Sequence, residues 1–162
     1  MSQHVLSVKV ENKSGVLARV VGLFSARGYN IDSLTVNKTH LNDMSVITIV
    51  VNGDDKIIEQ VKKQLNKLID VIKVSDHSQT RSIQRELAVV KINTPPAKRV
   101  ELFQIAQTFH AEIVDLTQKS ITLEIVGEPS KVENFIEIVR PYGIQELIQT
   151  GQISFAREGN AD

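Results

Sequence analysis

Cysteine and tryptophan are absent from this chain of 162 residues, and aromatic residues make up only 4% of it. Without Cys there is no disulfide, no zinc–thiolate or iron–sulfur site and no thiol nucleophile. Few aromatics weigh against recognition of single-stranded nucleic acid, which stacks bases on aromatic rings. Neither sign of charge prevails: 19 Lys and Arg stand against 19 Asp and Glu. A nucleic-acid binder that neutralises phosphates usually shows a basic excess. No apolar run approaches the ~18 residues that a membrane-spanning helix needs. The start, Met1-Ser2-Gln3-His4-Val5-Leu6, has neither the basic opening nor the apolar core of a secretory leader. The sequence therefore reads as a cytoplasmic protein without a membrane or nucleic-acid partner. Its hydrophobic (41%) and charged (23%) contents are those of a globular chain, long enough for one domain or two small ones.

Two copies of one plan account for the patterning. Residues 4–11 alternate as a strand, and Asn12-Lys13-Ser14-Gly15 breaks it. Val16, Leu17, Val20, Val21 and Phe24 then recur at helical spacing, with Arg19 and Arg27 among the other positions. Gly28, in Arg27-Gly28-Tyr29-Asn30, suits the left-handed residue that often ends a helix. Strands follow over 31–36 and 45–51, joined by a polar hairpin loop over 37–43. Gly53-Asp54-Asp55 caps a second helix with an apolar stripe of Ile57, Ile58, Val61, Leu65, Leu68 and Ile69, and 71–74 closes the unit. The order is βαββαβ.

After a polar stretch from Asp76 to Ser82 the order returns. Strands are expected over 87–92, 112–117, 120–126 and 144–155, the last interrupted near Thr150-Gly151. Pro95-Pro96 opens a helix carrying Val100, Phe103, Ala106 and Phe109, and Pro129-Ser130 opens one carrying Val132, Phe135, Ile136 and Val139. Leu23-Phe24 finds an echo in Leu102-Phe103, and Asp32-Ser33-Leu34-Thr35 in Val114-Asp115-Leu116-Thr117; the second copy's first helix and turn are a few residues longer. The fold class is α+β, two tandem ferredoxin-like domains over 1–76 and 85–162, with a linker over 77–84.

Catalytic constellations are not found. His4, His40, His77 and His110 lie far apart in sequence, with no metal-site spacing. No nucleophile elbow, P-loop or GxGxxG occurs. An RNA-binding βαββαβ domain carries aromatics on its central strands, but here those strands, 6–10 and 46–50, have none. One place is chemically suggestive: Asn12-Lys13-Ser14-Gly15 running into Val16-Leu17. Free N–H groups at a helix start attract carboxylates and phosphates, and Gly15 allows close approach. The plainer reading is a helix cap with its oxygen from Asn12 or Ser14. In the second copy the matching turn is Asn93-Thr94-Pro95-Pro96, whose prolines offer no N–H.

The run from Glu11 through Asn12-Lys13-Ser14-Gly15-Val16-Leu17-Ala18-Arg19-Val20-Val21-Gly22-Leu23-Phe24 to Gly28-Tyr29-Asn30-Ile31-Asp32-Ser33-Leu34-Thr35-Val36 closely resembles the N-terminal ACT domain of the acetolactate synthase regulatory (small) subunits. Gly53-Asp54 and Glu59-Gln60-Val61-Lys62-Lys63-Gln64-Leu65-Asn66-Lys67-Leu68-Ile69-Asp70-Val71 continue the likeness. Arg85-Glu86-Leu87, Arg99-Val100-Glu101-Leu102, Gly143-Ile144-Gln145-Glu146 and Thr150-Gly151 resemble the family's C-terminal domain. The resemblance implies a non-catalytic subunit that binds and activates a catalytic (large) subunit, a transferase making acetolactate from two pyruvates. It also implies feedback inhibition by a branched-chain amino acid, usually valine, held between the ACT domains of a homodimer. Thiamine diphosphate, Mg2+ and FAD would belong to the catalytic partner and none to this chain. By motif the effector-binding residues would be Asn12, Gly15, Val16, Leu17, Asn30 and Ile31. Val46 and Gln149 stand where many relatives carry Arg, and loop 37–43 is particular to this chain. A free-standing amino-acid sensor of the same tandem fold is the alternative; an acylphosphatase would need a reactive Arg where this turn offers Lys13.

Overall fold

The structure, a computed structural model, describes residues 2–78 and 80–158. They form two compact units, one running to Ile83 and taking in residues from Gln152 onward, the other spanning Gln84–Gly151.

In the first unit the elements are β1 (Ser2–Glu11), α1 (Val16–Ser25), β2 (Ile31–Lys38), β3 (Met44–Gly53), α2 (Asp55–Leu65) and β4 (Val71–Asp76). The sheet order is β2-β3-β1-β4, all neighbours antiparallel. Alternation along β1 and β3 sends Leu6, Val8, Val10, Ile47, Ile49 and Val51 to one face. There they meet Val16, Val20 and Phe24 of α1 and Ile58, Val61 and Leu65 of α2. Each such side chain contributes about 1.5–3 kcal/mol on burial, so this interface fixes which face each helix turns inward.

The ends of the helices follow from single residues. Gly28 takes φ 71°, and its N–H donates to Ser25 C=O while Tyr29 N–H reaches back to Phe24 C=O, a Schellman closure of α1. Asp54 caps α2, accepting from Lys56 N–H at 3.0 Å. Because α2 stops at Leu65, Ile69 falls outside the buried stripe expected for it and is 93% exposed in the following loop.

In the second unit, β5 (Ser82–Asn93), α3 (Arg99–Phe109), β6 (Glu112–Leu116), β7 (Ser120–Gly127), α4 (Pro129–Val139) and β8 (Ile144–Gln149) repeat the plan, in the order β6-β7-β5-β8. Its core gathers Val90, Ile92, Leu123, Ile125 and the α4 stripe Val132, Phe135, Ile136 and Val139. The α3 stripe differs from expectation. A 3-10 turn over Pro96–Lys98 comes first, so the helix proper begins at Arg99 and buries Leu102 and Ala106. Val100 is exposed, Phe103 is 37% exposed, and Phe109 packs edge-to-face on Phe135. His110, at φ 55°, closes α3 as Gly28 closes α1: its N–H donates to Gln107 C=O and Ala111 N–H to Ala106 C=O. Position by position, Phe24 therefore corresponds to Ala106, and the Leu102-Phe103 echo is out of register.

The break at Thr150-Gly151 makes two strands of the one expected at the end. β9 (Ile153–Ala156) follows β8, and residues from Gln152 onward group with the first unit although sequence order puts them in 85–162. Polar partners explain this: Gln152 N–H donates to Ser33 Oγ at 3.1 Å, Thr35 Oγ1 donates to Gln152 C=O at 3.1 Å, and His77 Nδ1 lies 2.7 Å from Ser154 Oγ. The expected linker is correspondingly short of free chain: His77 is buried, its N–H on Val5 C=O, and β5 starts at Ser82.

Candidate functional site

Three loops meet at one end of the first unit. Asn12 N–H donates to Asp43 C=O at 2.7 Å and its side-chain amide to Asn42 C=O at 3.2 Å, tying the β1–α1 turn to the β2–β3 hairpin. Glu11 N–H donates to Asp70 C=O at 2.9 Å, tying the same turn to the α2–β4 loop. Lys13 is ion-paired with Glu11, and that pairing raises its pKa.

Gly15 is the N-cap of α1, left-handed at φ 80°, and no side chain caps the helix. The expectation that Asn12 or Ser14 supplies a capping oxygen is overturned: neither side chain accepts from the first turn, and the Asn12 amide nitrogen donates to Asn42 C=O instead. Gly15 itself occupies the N-cap position, where it has no side chain to offer, and its left-handed φ is one that glycine adopts freely. Val16 N–H donates to Lys13 C=O at 3.4 Å, no side chain accepts from the first-turn N–H groups, and no acidic residue sits in that turn. Such a turn can receive a carboxylate.

The residues expected at the site fall into two groups. Asn12, Gly15 and Leu17 are exposed around the turn, while Val16 is buried in the core beneath it. Asn30 and Ile31 lie elsewhere. Asn30 is exposed, its amide donating to Asp32 Oδ1 at 2.9 Å, and Ile31 opens β2 packed on the core. Ile31 pairs with Val51, which is level with His4, whereas Glu11 is level with Met44. The two groups therefore stand about 23 Å apart along the strands. A single copy of the chain does not bring them together.

Arg19 and Asp70, both within the runs that resemble the family, are not among the site residues the sequence indicates. Arg19 donates through Nε (3.1 Å) and through Nη2 to one oxygen, Asp70 Oδ2. The Asp70 side chain is 10% exposed and that of Arg19 is 49% exposed. The available signal was the Gly15–Arg19 spacing: four positions into a helix, a side chain leans back over the helix start.

In the second unit the corresponding turn is closed. Thr94 is buried with its N–H on Lys119 C=O, and Pro95-Pro96 leads into the 3-10 turn. Among the described residues no cluster of His, Asp and Glu could hold a metal ion, and no helix is long and apolar enough to cross a membrane.

Comparison with known proteins matches residues 6–73 to the AHAS small subunit-like ACT domain and residues 85–158 to the family model described as small subunit of acetolactate synthase. The chain belongs to the acetolactate synthase small subunit family. A probable acetolactate synthase small subunit of Archaeoglobus fulgidus is 50% identical over 155 residues, 96% of this chain and 97% of that protein. The Mycolicibacterium smegmatis small subunit is 46% identical over 95% of this chain and 91% of its own length. The crystal structure of the Thermotoga maritima small subunit is similar with a TM-score of 0.87 and 36% identity, over 97% of this chain and 98% of that one. Within the family, then, both units are matched, and the uncapped turn lies in the ACT domain.

Proposed function

We propose that this chain is the non-catalytic regulatory subunit of acetolactate synthase: it binds and activates the catalytic subunit and makes it sensitive to a branched-chain amino acid. The observation that carries the reading is the end-to-end match to small subunits, 96% of this chain against 97% of a relative. The uncapped Gly15 turn supports an effector site there. Backbone N–H groups from Gly15 to Leu17 would take the effector carboxylate, the Asn12 and Asn30 amides would bond its polar end, and Leu17 and Ile31 would wall the aliphatic side chain. Thiamine diphosphate, Mg2+ and FAD are assigned to the catalytic partner, and the complex to the cytoplasm.

The separation of the two residue groups supports a homodimer. β2 is an edge strand. If two β2 strands pair antiparallel about a two-fold axis, the Ile31 end of one lies beside the Lys38 end of the other. That end is level with Ser45, next to the β1–α1 turn. Asn30 and Ile31 of one copy would then complete the site begun by Asn12, Gly15 and Leu17 of the other. An effector can shift only an equilibrium whose states it binds unequally, and the seating of this dimer on the catalytic subunit is the candidate.

Co-elution on gel filtration with the catalytic subunit from the same organism tests the assembly. A complex containing a dimer of this chain is expected. Separate elution at micromolar concentrations of both proteins would overturn it.

A further inference from the structure

We infer that Arg19, oriented by Asp70, is the side-chain cation that receives the effector's carboxylate at the Gly15 turn; this rests on the reading of that turn as the effector site. The guanidinium plane presents its donors in a fixed fork. Nε and Nη2 are both taken by Asp70 Oδ2. Nη1 has no hydrogen-bond partner among the described residues, and a Cβ placed on Gly15 would lie 3.2 Å from it. The unengaged donor therefore lies beside the side of Gly15 that a Cβ would occupy, close to the helix start where a ligand oxygen would bind.

The arrangement is rigid on one side and open on the other. The Asp70 side chain is nearly buried, and its backbone carbonyl holds Glu11 N–H, so the acceptor that aims Arg19 is itself fixed. The Arg19 side chain is half exposed, so Nη1 can be reached from solvent. A pre-aimed, permanently charged donor forms a stronger bond to a carboxylate than backbone N–H groups alone.

The second unit supplies an internal contrast. With Gly28 matched to His110, Arg19 corresponds to Glu101, which accepts from Tyr142 Oη at 2.8 Å. Where the first unit has glycine and a cation, the second has Ala97, preceded by paired prolines, and an acid. One of the two turns is built for a carboxylate.

The test is a chemical double-mutant cycle on the full chain. Thermal shifts are titrated for wild type, Arg19→Gln and Arg19→Lys with L-valine, L-leucine, L-isoleucine and their C-terminal amides. Arg19→Lys keeps a cation for Asp70 and guards against a folding defect, but it lacks the fork. The wild type is expected to prefer the acid of its effector over the amide, and both variants to lose about ten-fold or more of that preference. Binding of the amide should hardly change. An unchanged acid-to-amide ratio in both variants overturns the role of Arg19 while leaving the effector site standing. Absence of any shift in wild type overturns the effector site itself, and Arg19's role with it.

Discussion

Gly28 and His110 hold the same station, the left-handed residue that closes a first helix, yet only glycine adopts it without steric cost. His110→Gly relieves about 1–2 kcal/mol of left-handed strain and returns roughly 0.4–1 kcal/mol to unfolded-chain entropy. A net stabilisation of roughly 0.5–1 kcal/mol is therefore expected, read as a higher denaturant midpoint at unchanged slope. Gly15 is constrained in the same way, and its Cβ position faces Arg19. In Gly15→Asp the new carboxylate would occupy the proposed ligand's place and draw Nη1. Asp tolerates positive φ better than most residues, so a cooperative unfolding transition should persist while the amino-acid-induced shift disappears. His77 adds a pH dependence. Burial is the main influence lowering its pKa from 6.5; Lys9 also lowers it and Asp76 opposes. The unfolded chain therefore takes up a proton at this position before the folded one does, and stability falls as pH drops below about 6.5 and levels below the folded-state pKa. His77→Gln should flatten that limb, measured by urea unfolding at pH 8, 7, 6 and 5; an equally steep limb would contradict the assignment.

At the scale of elements, period and punctuation made most of the fold legible. The β1 alternation, the Asp54 cap, the Gly28 stop and the whole α4 stripe appear where the residues indicate. Three things were hidden, each for a physical reason. The α3 stripe was misread because a 3-10 turn before Arg99 leaves no mark in the hydrophobic pattern. Ile69 looked like part of the α2 stripe because periodicity continues past the point where a helix stops. The regrouping of residues after Gly151 rests on hydrogen bonds to Ser33, Thr35 and His77, partners more than 70 positions away that no local pattern announces. Ending the chain after Gly151 should therefore destabilise the first unit by at least about 2 kcal/mol, since the three side-chain contacts, the Arg157 N–H bond to Arg81 C=O and the pairing of β9 with β5 are all lost. The midpoint of thermal unfolding checks this, and an unchanged midpoint would show that the segment is dispensable.

Over the whole molecule, one plan is used twice with unlike turns. The difference between Ser14-Gly15 and Pro95-Pro96 is plain in the sequence; the orientation of Arg19 by Asp70 is not, since the partners lie 51 positions apart. The candidate site was thus half legible: the backbone part showed in its glycine, whereas the cation and the 23 Å separation (roughly, from strand spacing) of Asn30 and Ile31 from the turn emerged only with the fold. If both groups serve the one proposed effector, that separation makes its binding a property of an assembly. An effector selective for the native dimer should stabilise it by about 2.7 kcal/mol at one hundred times its dissociation constant.

The most direct measurement is the rate of acetolactate formation by the catalytic subunit, alone and with this chain, with and without each branched-chain amino acid, repeated with Gly15→Asp. A regulatory subunit with its effector site at the Gly15 turn raises the rate and confers inhibition by at least one of the three; Gly15→Asp keeps the rise and loses the inhibition. A rate that this chain leaves unchanged, or inhibition that survives in Gly15→Asp, would contradict it.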